Sequence, residues 1–520
     1  MDKRAFSLRS IAVCVALLVP CIALPARADE ASNLLALHRT FAGWTADDGK
    51  IRTLHLTGKE FRLQKDGSEL DLFTIEELRN GIFFKQSIVS VQSGSGNTSG
   101  FSPSSSGPRF WNSTFNGFVV PDLSDSRAAV LARRIVFGEA NGGLPTTLRP
   151  SATVNGIATK VLRQTPPSGK PFDLYIDPET GAYKRLVYDP EGTNSTVIDI
   201  DAYAEAQLGK RVVSAWHYDG SSVRTRYDTI KANVALAADA LQPPTPKARW
   251  TFGHGEPVSI DTRHDSIRVR ATVNGHGGLF ELDTGAHSIA FTEGFADRAG
   301  LKRQRAVNIY GVASGNAPRV RGAIVHVDTL SFPDGSKLEN VDAISGLVSL
   351  SSEPEVDGLL GFDFLGGAIV DVDFDKSHLT IYDPKTNSVN DAGGVIVLPD
   401  LTSGQPAVPV KIDGRFESHA ILDTGGAAPV LIPHTLSSRL SMLAVPKYAI
   451  GGVTGGYEVD ACGVLSSIEI GRITWQNPGA CYSGSVGTDE SLIGFDFLKN
   501  FNMTFDYPDG KIVMTKRASS

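Results

Sequence analysis

The 520-residue chain is 41% hydrophobic, contains 53 Gly and 28 Pro, and carries a formal net charge of −7. That composition excludes a coiled coil or a disordered chain and points to a globular protein rich in strands and turns, with roughly two to four domains. The acidic balance argues against nucleic acid or anionic lipid as the main partner.

Lys3, Arg4 and Arg9 precede an apolar run from Ile11 to Leu24, and Ala26-Arg27-Ala28 supplies a small-x-small cleavage site. This predicts a secretory signal over residues 1–28 and a periplasmic or secreted location. The run, interrupted by Pro20, is too short for a stable membrane span, as are the later apolar runs, so no membrane span is expected. An acylated Cys21 is the alternative, but Pro20 stands where a lipoprotein signal places a small residue. Loss of residues 1–28 takes away four Lys/Arg and one Asp, which moves the charge to −10. Cys14 and Cys21 leave with the signal, so Cys462 and Cys481 remain. In an oxidising compartment they are expected to pair. The loop of about 20 residues would be worth roughly 3 kcal/mol. Two buried thiols are the alternative.

Next comes "ASNLLALHRTFAG", where Leu34, Leu35, His38 and Phe41 recur at helical spacing. Alternating stretches follow, "IRTLHLTG", "KEFRLQKDG" and "GIFFKQSIVSVQ", then a Gly/Ser/Pro tract from Ser93 to Pro108 that reads as a loop. "FDLYIDPETGAYKRLVYDPEG" reads as a hairpin, and "RVVSAWHYDGSSVRTRYDTIKANVAL" as another turning at Asp219-Gly220. Residues 29–240 thus form an antiparallel β-rich N-terminal domain. A leading helix and a long meander resemble the half-barrel of periplasmic lipoprotein-carrier-like domains, a resemblance that implies an apolar ligand. A β-rich scaffold without a ligand is the alternative. "LQPPTPKA", residues 241–248, is a Pro-rich linker expected to be extended.

Beyond the linker the chain repeats itself. "LFELDTGAHS" ends an apolar run at Asp283, and "AILDTGGAAP" ends another at Asp423, 140 residues later. Each is preceded by a strand and a tight turn, "VRATVNG" and "VPVKIDG", with Asn274-Gly275 and Asp413-Gly414 suited to hairpins. Downstream, Leu359–Leu365 and Leu492–Leu498 differ at one position, Leu360 against Ile493, and two alternating strands follow each. The Asp-to-Gly spacings are 78 residues, to Gly361, and 71 residues, to Gly494. Four elements in matched order and spacing are an internal duplication, with one lobe over residues 249–390 and the other over 391–520.

The pattern "LDTGA" with "LLG", and "LDTGG" with "LIG", resembles the retropepsin and pepsin clan of aspartic proteases, over roughly Val258 to Lys516. Each lobe is shorter than a pepsin lobe, so the resemblance implies two fused retropepsin-like closed β-barrel lobes, bilobal as in pepsin. It implies Asp283 and Asp423 as the catalytic dyad and Thr284 and Thr424 bonded across the lobe interface. Gly285 and Gly425 would admit backbone amides to the carboxylates, and Gly361 and Gly494 would support the active loops. A hairpin flap is implied too, with Gly311 and Gly315 in "YGVASGN" and Gly452 and Gly455 in "GGVTGGY" as candidates; ordinary turns are the alternative. The second unit departs from the family at Gly426, where Ala or Ser is usual.

The expected activity is that of an aspartic-type endopeptidase acting on a peptide or protein substrate, with no cofactor and no metal, as a monomeric active unit. The alternative is a secreted non-catalytic protein that binds peptide or lipid on a protease-like fold. A glycosidase pair does not ask for Thr-Gly after both acids. His254, His264, His276 and His287 lie in turns and alternating strands without a His-Glu-x-x-His or Cys-x-x-Cys spacing and read as surface residues. Neither a serine-hydrolase elbow nor a phosphate-binding loop occurs. Asp363 and Asp496, after the supporting glycines, are expected to cap a helix or turn.

Overall fold

The computed structural model describes residues 30–517 except 46–47, 92–95, 105–106, 122–143, 167–169, 192–194, 310–319, 348–355, 390–392, 402, 427–428, 438, 441–442, 451–456 and 484–489. The protein is mainly β. Among the described residues no helix is long and apolar enough to cross a membrane.

The N-terminal part is a 13-stranded antiparallel sheet covered by the helix Glu30–Ala42. The helix buries Ala31, Leu34, His38 and Ala42, a single stripe at helical spacing. Ala31 and Leu34 pack into a cluster with Leu162, Leu174, Tyr183 and Trp216 of the sheet. His38 stacks on Tyr183 at 3.7 Å, its Nδ1 lies 2.8 Å from the Gly181 carbonyl, and burial pushes its pKa down to about 4. Two meanders make the sheet, joined where Thr53–Leu63 pairs with Val223–Ala232.

The first C-terminal lobe is a closed six-stranded barrel. Its ring runs Ile267–Val273, His276–Leu282, Gly358–Leu360, Ala290–Thr292, Lys337–Leu347 and Val320–Ser331, and closes where Val273 pairs with Leu330. The tight turn between the first two strands has Asn274 at φ 49° and Gly275 at φ 85°, the left-handed pair that a two-residue hairpin requires. The second lobe repeats this order from Ala407–Ile412 and Phe416–Leu422 onward, turning at Asp413 (φ 52°) and Gly414 (φ 65°). Its long hairpin is broken in two: Tyr457–Val464 pairs with Gly479–Tyr482, while Ser467–Ile470 pairs with Ile473–Gln476 and returns to Ala407–Ile412. Asn477, at φ 53° before Pro478, marks the break on the return side. The Cys462–Cys481 disulfide joins directly paired residues of this hairpin.

A further sheet joins the lobes. Val258–Asp261, His378–Tyr382 and Ile369–Asp373 from the first lobe continue into Phe501–Asp506 and Lys511–Lys516 from the second, with Ile369 opposite Asp506. One apolar core therefore runs through both lobes, from Val269 and Phe280 to Ile468 and Met514. Phe118 and Val120, which precede the Pro-rich stretch by more than a hundred residues, belong to this core.

Candidate active site

Each Asp-Thr-Gly begins where a barrel strand stops. His276–Leu282 pairs in parallel with Gly358–Leu360, and the Asp283 amide extends that ladder by donating to the Leu360 carbonyl at 3.1 Å. In the second lobe Phe416–Leu422 pairs with Ser491–Ile493, and the Asp423 amide donates to Ile493 at 2.9 Å. The chain then turns back: the Ala286 amide bonds to Asp283, and the Ala286 carbonyl accepts from the Phe362 amide at 2.9 Å. Gly426 and Phe495 repeat this in the other lobe, at 2.8 Å. Gly361 is needed there, because a Cβ would lie 2.3 Å from the Ala286 carbonyl oxygen. Gly494 holds the equivalent place and donates to Pro429 at 3.2 Å.

The threonines face each other across the lobe interface. The Thr284 hydroxyl accepts from the Thr424 amide at 2.9 Å and donates to the Leu422 carbonyl at 2.5 Å. The Thr424 hydroxyl accepts from the Thr284 amide at 3.0 Å and donates to Leu282 at 2.7 Å. Four groups that would otherwise be stranded in a dry interface are paired, each lobe completing the other.

Above this grip the two carboxyls meet. Asp283 and Asp423 hydrogen-bond to one another, and each also accepts the amide of its own loop glycine, Gly285 at 2.8 Å and Gly425 at 3.0 Å. A Cβ on Gly285 would stand 2.5 Å from Asp423 Oδ1, and one on Gly425 2.6 Å from Asp283 Cγ. Only glycine leaves room for the pair. Burial, the Asp423 charge and the Glu281 charge push the Asp283 carboxyl well above the usual carboxylate range. Burial raises Asp423 as well, while the amides of Gly425, Gly426 and Gly285 work against that rise. Gln405, from the segment leading into the second lobe, donates to the Gly285 carbonyl at 2.6 Å.

Two further groups face the dyad. Glu281, two residues before Asp283, is 7% exposed, and burial pushes it up to about 7. Tyr507 is fully buried, its hydroxyl has no hydrogen-bond partner among the described residues, and burial together with the Asp283 charge raises its pKa. Glu281 has a sequence signal: it puts an acid into the apolar run where the other copy reads Ile421. Tyr507 has none, since it lies 224 residues beyond Asp283.

The flap candidates Gly311, Gly315, Gly452 and Gly455 lie outside the described residues. The strands beside them are antiparallel pairs, with Ile309 opposite Val320 and Ile450 opposite Tyr457. Asp363 and Asp496 both fall in the first turn of a short helix, Phe362–Leu365 and Phe495–Leu498, and neither caps it with a side-chain bond. Asp496 pairs with Lys499 at the surface, whereas buried Asp363 accepts the Asn116 amide at 2.9 Å. His254, His264, His276 and His287 are exposed.

Among solved structures, a DUF1329 family protein from Desulfovibrio piger is 13% identical, with a TM-score of 0.30, over 41% of this chain and 98% of that one. A putative outer membrane lipoprotein-sorting protein domain from Vibrio parahaemolyticus is 10% identical, with a TM-score of 0.28, over 40% of this chain and 95% of that one. No curated protein matches the chain. The family model described as aspartyl protease matches twice, at residues 269–364 and 408–497. Each matched segment contains one Asp-Thr-Gly and one supporting glycine, so that both C-terminal lobes are similar to the aspartyl proteases in sequence as well as in fold.

Proposed function

We propose that this chain is an aspartic-type endopeptidase that acts in the periplasm or outside the cell, with Asp283 and Asp423 as its dyad. The observation that carries the reading is the reciprocal threonine grip, which brings one carboxyl from each lobe onto a shared hydrogen bond. Two carboxyls in such contact do not ionise together; they titrate as a pair and hold one proton between them over a range of pH. In that state the site contains an acid and a base. The ionised partner takes a proton from a water lying between them, and the protonated partner polarises the peptide carbonyl that the water attacks. The bond then breaks as the amine leaves with a proton returned by the dyad. No covalent intermediate and no metal are needed for these steps. The disulfide agrees with an oxidising compartment.

The test is cleavage of a diverse peptide library by the full chain across acid and neutral pH, beside Asp283→Asn and Asp423→Asn. Loss of cleavage in both variants, with circular dichroism unchanged, supports the assignment. Equal cleavage by the wild type and either variant overturns it. Peptide binding without cleavage at any pH would assign the lobes to a binding protein.

A further inference from the structure

The two lobes differ in charge at matching positions. In the first, Arg268 lies opposite Glu281 on adjacent antiparallel strands; in the second, the corresponding rung has Ala407 opposite Ile421. There, Ala407, Ile421, Leu431 and Leu492 form a small apolar cluster. The same place beside Asp283 holds an arginine that is 1% exposed and a glutamate that is 7% exposed. Packing does not require them, since the second lobe fills the position with apolar side chains. Buried charge is costly, and what this charge changes is the field at the dyad.

Glu281 and Asp283 are two residues apart, so both side chains leave the same face of the strand line. The charged and titratable groups that face Glu281 are Asp283 on its own strand, Arg268 on the antiparallel neighbour and Asp423 from the other lobe. Ser266 adds a hydroxyl, which accepts from Arg268 Nε at 2.9 Å. The parallel neighbour presents Leu359. Asp423 is matched by no such acid, because its own strand carries Ile421.

We propose that Glu281 is a positioning residue for the dyad: once ionised, and tempered by Arg268, it keeps the shared proton on Asp283 and leaves Asp423 as the base that activates water. The inference rests on the endopeptidase reading and adds an asymmetry that the duplicated motifs do not contain. Burial keeps Glu281 protonated up to about pH 7, so its charge acts on the alkaline side; there it opposes the loss of the shared proton, and the singly protonated pair persists to higher pH. The alkaline limit of cleavage therefore belongs to Glu281 as much as to the dyad.

The experiment is the pH profile of kcat/KM for the full chain, for Glu281→Gln, which keeps the shape, and for Glu281→Ile, which installs the residue of the second lobe. Both variants are expected to move the alkaline limb about one pH unit lower, which is about a tenfold loss of kcat/KM on that limb. A purely structural role would lower activity at every pH and leave the limb in place, and that result overturns the proposal. A second readout needs no turnover: carbon-13 NMR titration of aspartate carboxyls, in which the upper apparent pKa of the dyad falls in both variants. If the wild type cleaves nothing, the endopeptidase reading fails while this titration still decides the coupling. If the wild type cleaves and neither limb nor titration moves, the role of Glu281 alone fails.

Discussion

Thr284→Val is the sharpest perturbation of the lobe interface, because valine keeps the shape of threonine and removes only the hydroxyl. Thr284 and Thr424 are 1% and 0% exposed, so no water replaces the lost bonds. Two buried groups are stranded, the Thr424 amide and the Leu422 carbonyl. Each costs about 1–3 kcal/mol, which sums to roughly 2–6 kcal/mol. The sheet pairing Ile369 with Asp506 still joins the lobes, so the loss is local and the chain stays folded. Native-state hydrogen exchange reads it where it occurs. The Thr284 amide keeps its acceptor, the Thr424 hydroxyl, and reports opening of the interface. An opening made easier by about 2 kcal/mol speeds its exchange by roughly thirtyfold. Thr284→Ser retains the hydroxyl and should cost only about 1 kcal/mol for the missing methyl group. Thr424→Val strands a different pair, the Thr284 amide and the Leu282 carbonyl, so the two valines should add unless the first already opens the interface. Exchange at Thr284 within twofold of the wild type in Thr284→Val would show that the grip does not close the lobes.

Gly425→Ala puts a Cβ 2.6 Å from Asp283 Cγ, so the carboxyl has to move, and a displacement of about 1 Å predicts a loss of about a hundredfold in kcat/KM with circular dichroism unchanged. Asp363→Asn should flatten the pH dependence of stability between about pH 4 and 6. Burial raises the Asp363 carboxyl from 3.8 to about 6, so the folded state binds the proton more tightly than the unfolded chain, and stability falls as pH rises through that window. The loss is up to about 3 kcal/mol. Denaturant midpoints at pH 4 and pH 7 measure it, and equal slopes in Asp363→Asn and the wild type would count against the assignment.

The catalytic candidates were open to a sequence reading because duplication makes a short motif statistically heavy and because each element has a local reason. Asn274-Gly275 and Asp413-Gly414 turn as they do since left-handed φ values suit those residues. Asp283 and Asp423 end their strands because the following glycines leave room for the opposite carboxyl. Cys462 and Cys481 were identifiable by elimination. What the sequence conceals is long-range. Nothing in "FWNSTFNGFVV" tells that its apolar positions enter the core of a lobe that begins more than a hundred residues later. The broken hairpin of the second lobe is likewise a matter of pairing, with only Asn477-Pro478 to mark it locally. Glu281 lies between these cases: the residue is visible, but its burial beside a second lobe is not.

The segment Thr114–Val120 shows how far the N-terminal part enters the support of the dyad. The Asn116 side chain donates to the Asp342 carbonyl at 2.9 Å and accepts the Asp342 amide at 2.8 Å, while its own amide donates to Asp363. Gly366 and Gly367 follow that helix because side chains there would meet Thr114, Phe118 and Trp250. Phe115 packs on the cluster of Ala290, Val307, Ile309, Ile324, Leu347 and Leu359, against which Ala286, three residues beyond Asp283, also packs. Val119–Pro121 lies against the turn Tyr507–Asp509, whose tyrosine faces Asp283. The N-terminal segment therefore touches the short helix after Gly361 and the turn that carries Tyr507. Removing it would uncover the Asp363 carboxyl and the apolar seat of Phe118 and Val120 together, and stranded buried groups of that kind cost about 1–3 kcal/mol each. The Pro-rich stretch separates the two halves along the chain, but the packing that holds the dyad in place is shared between them.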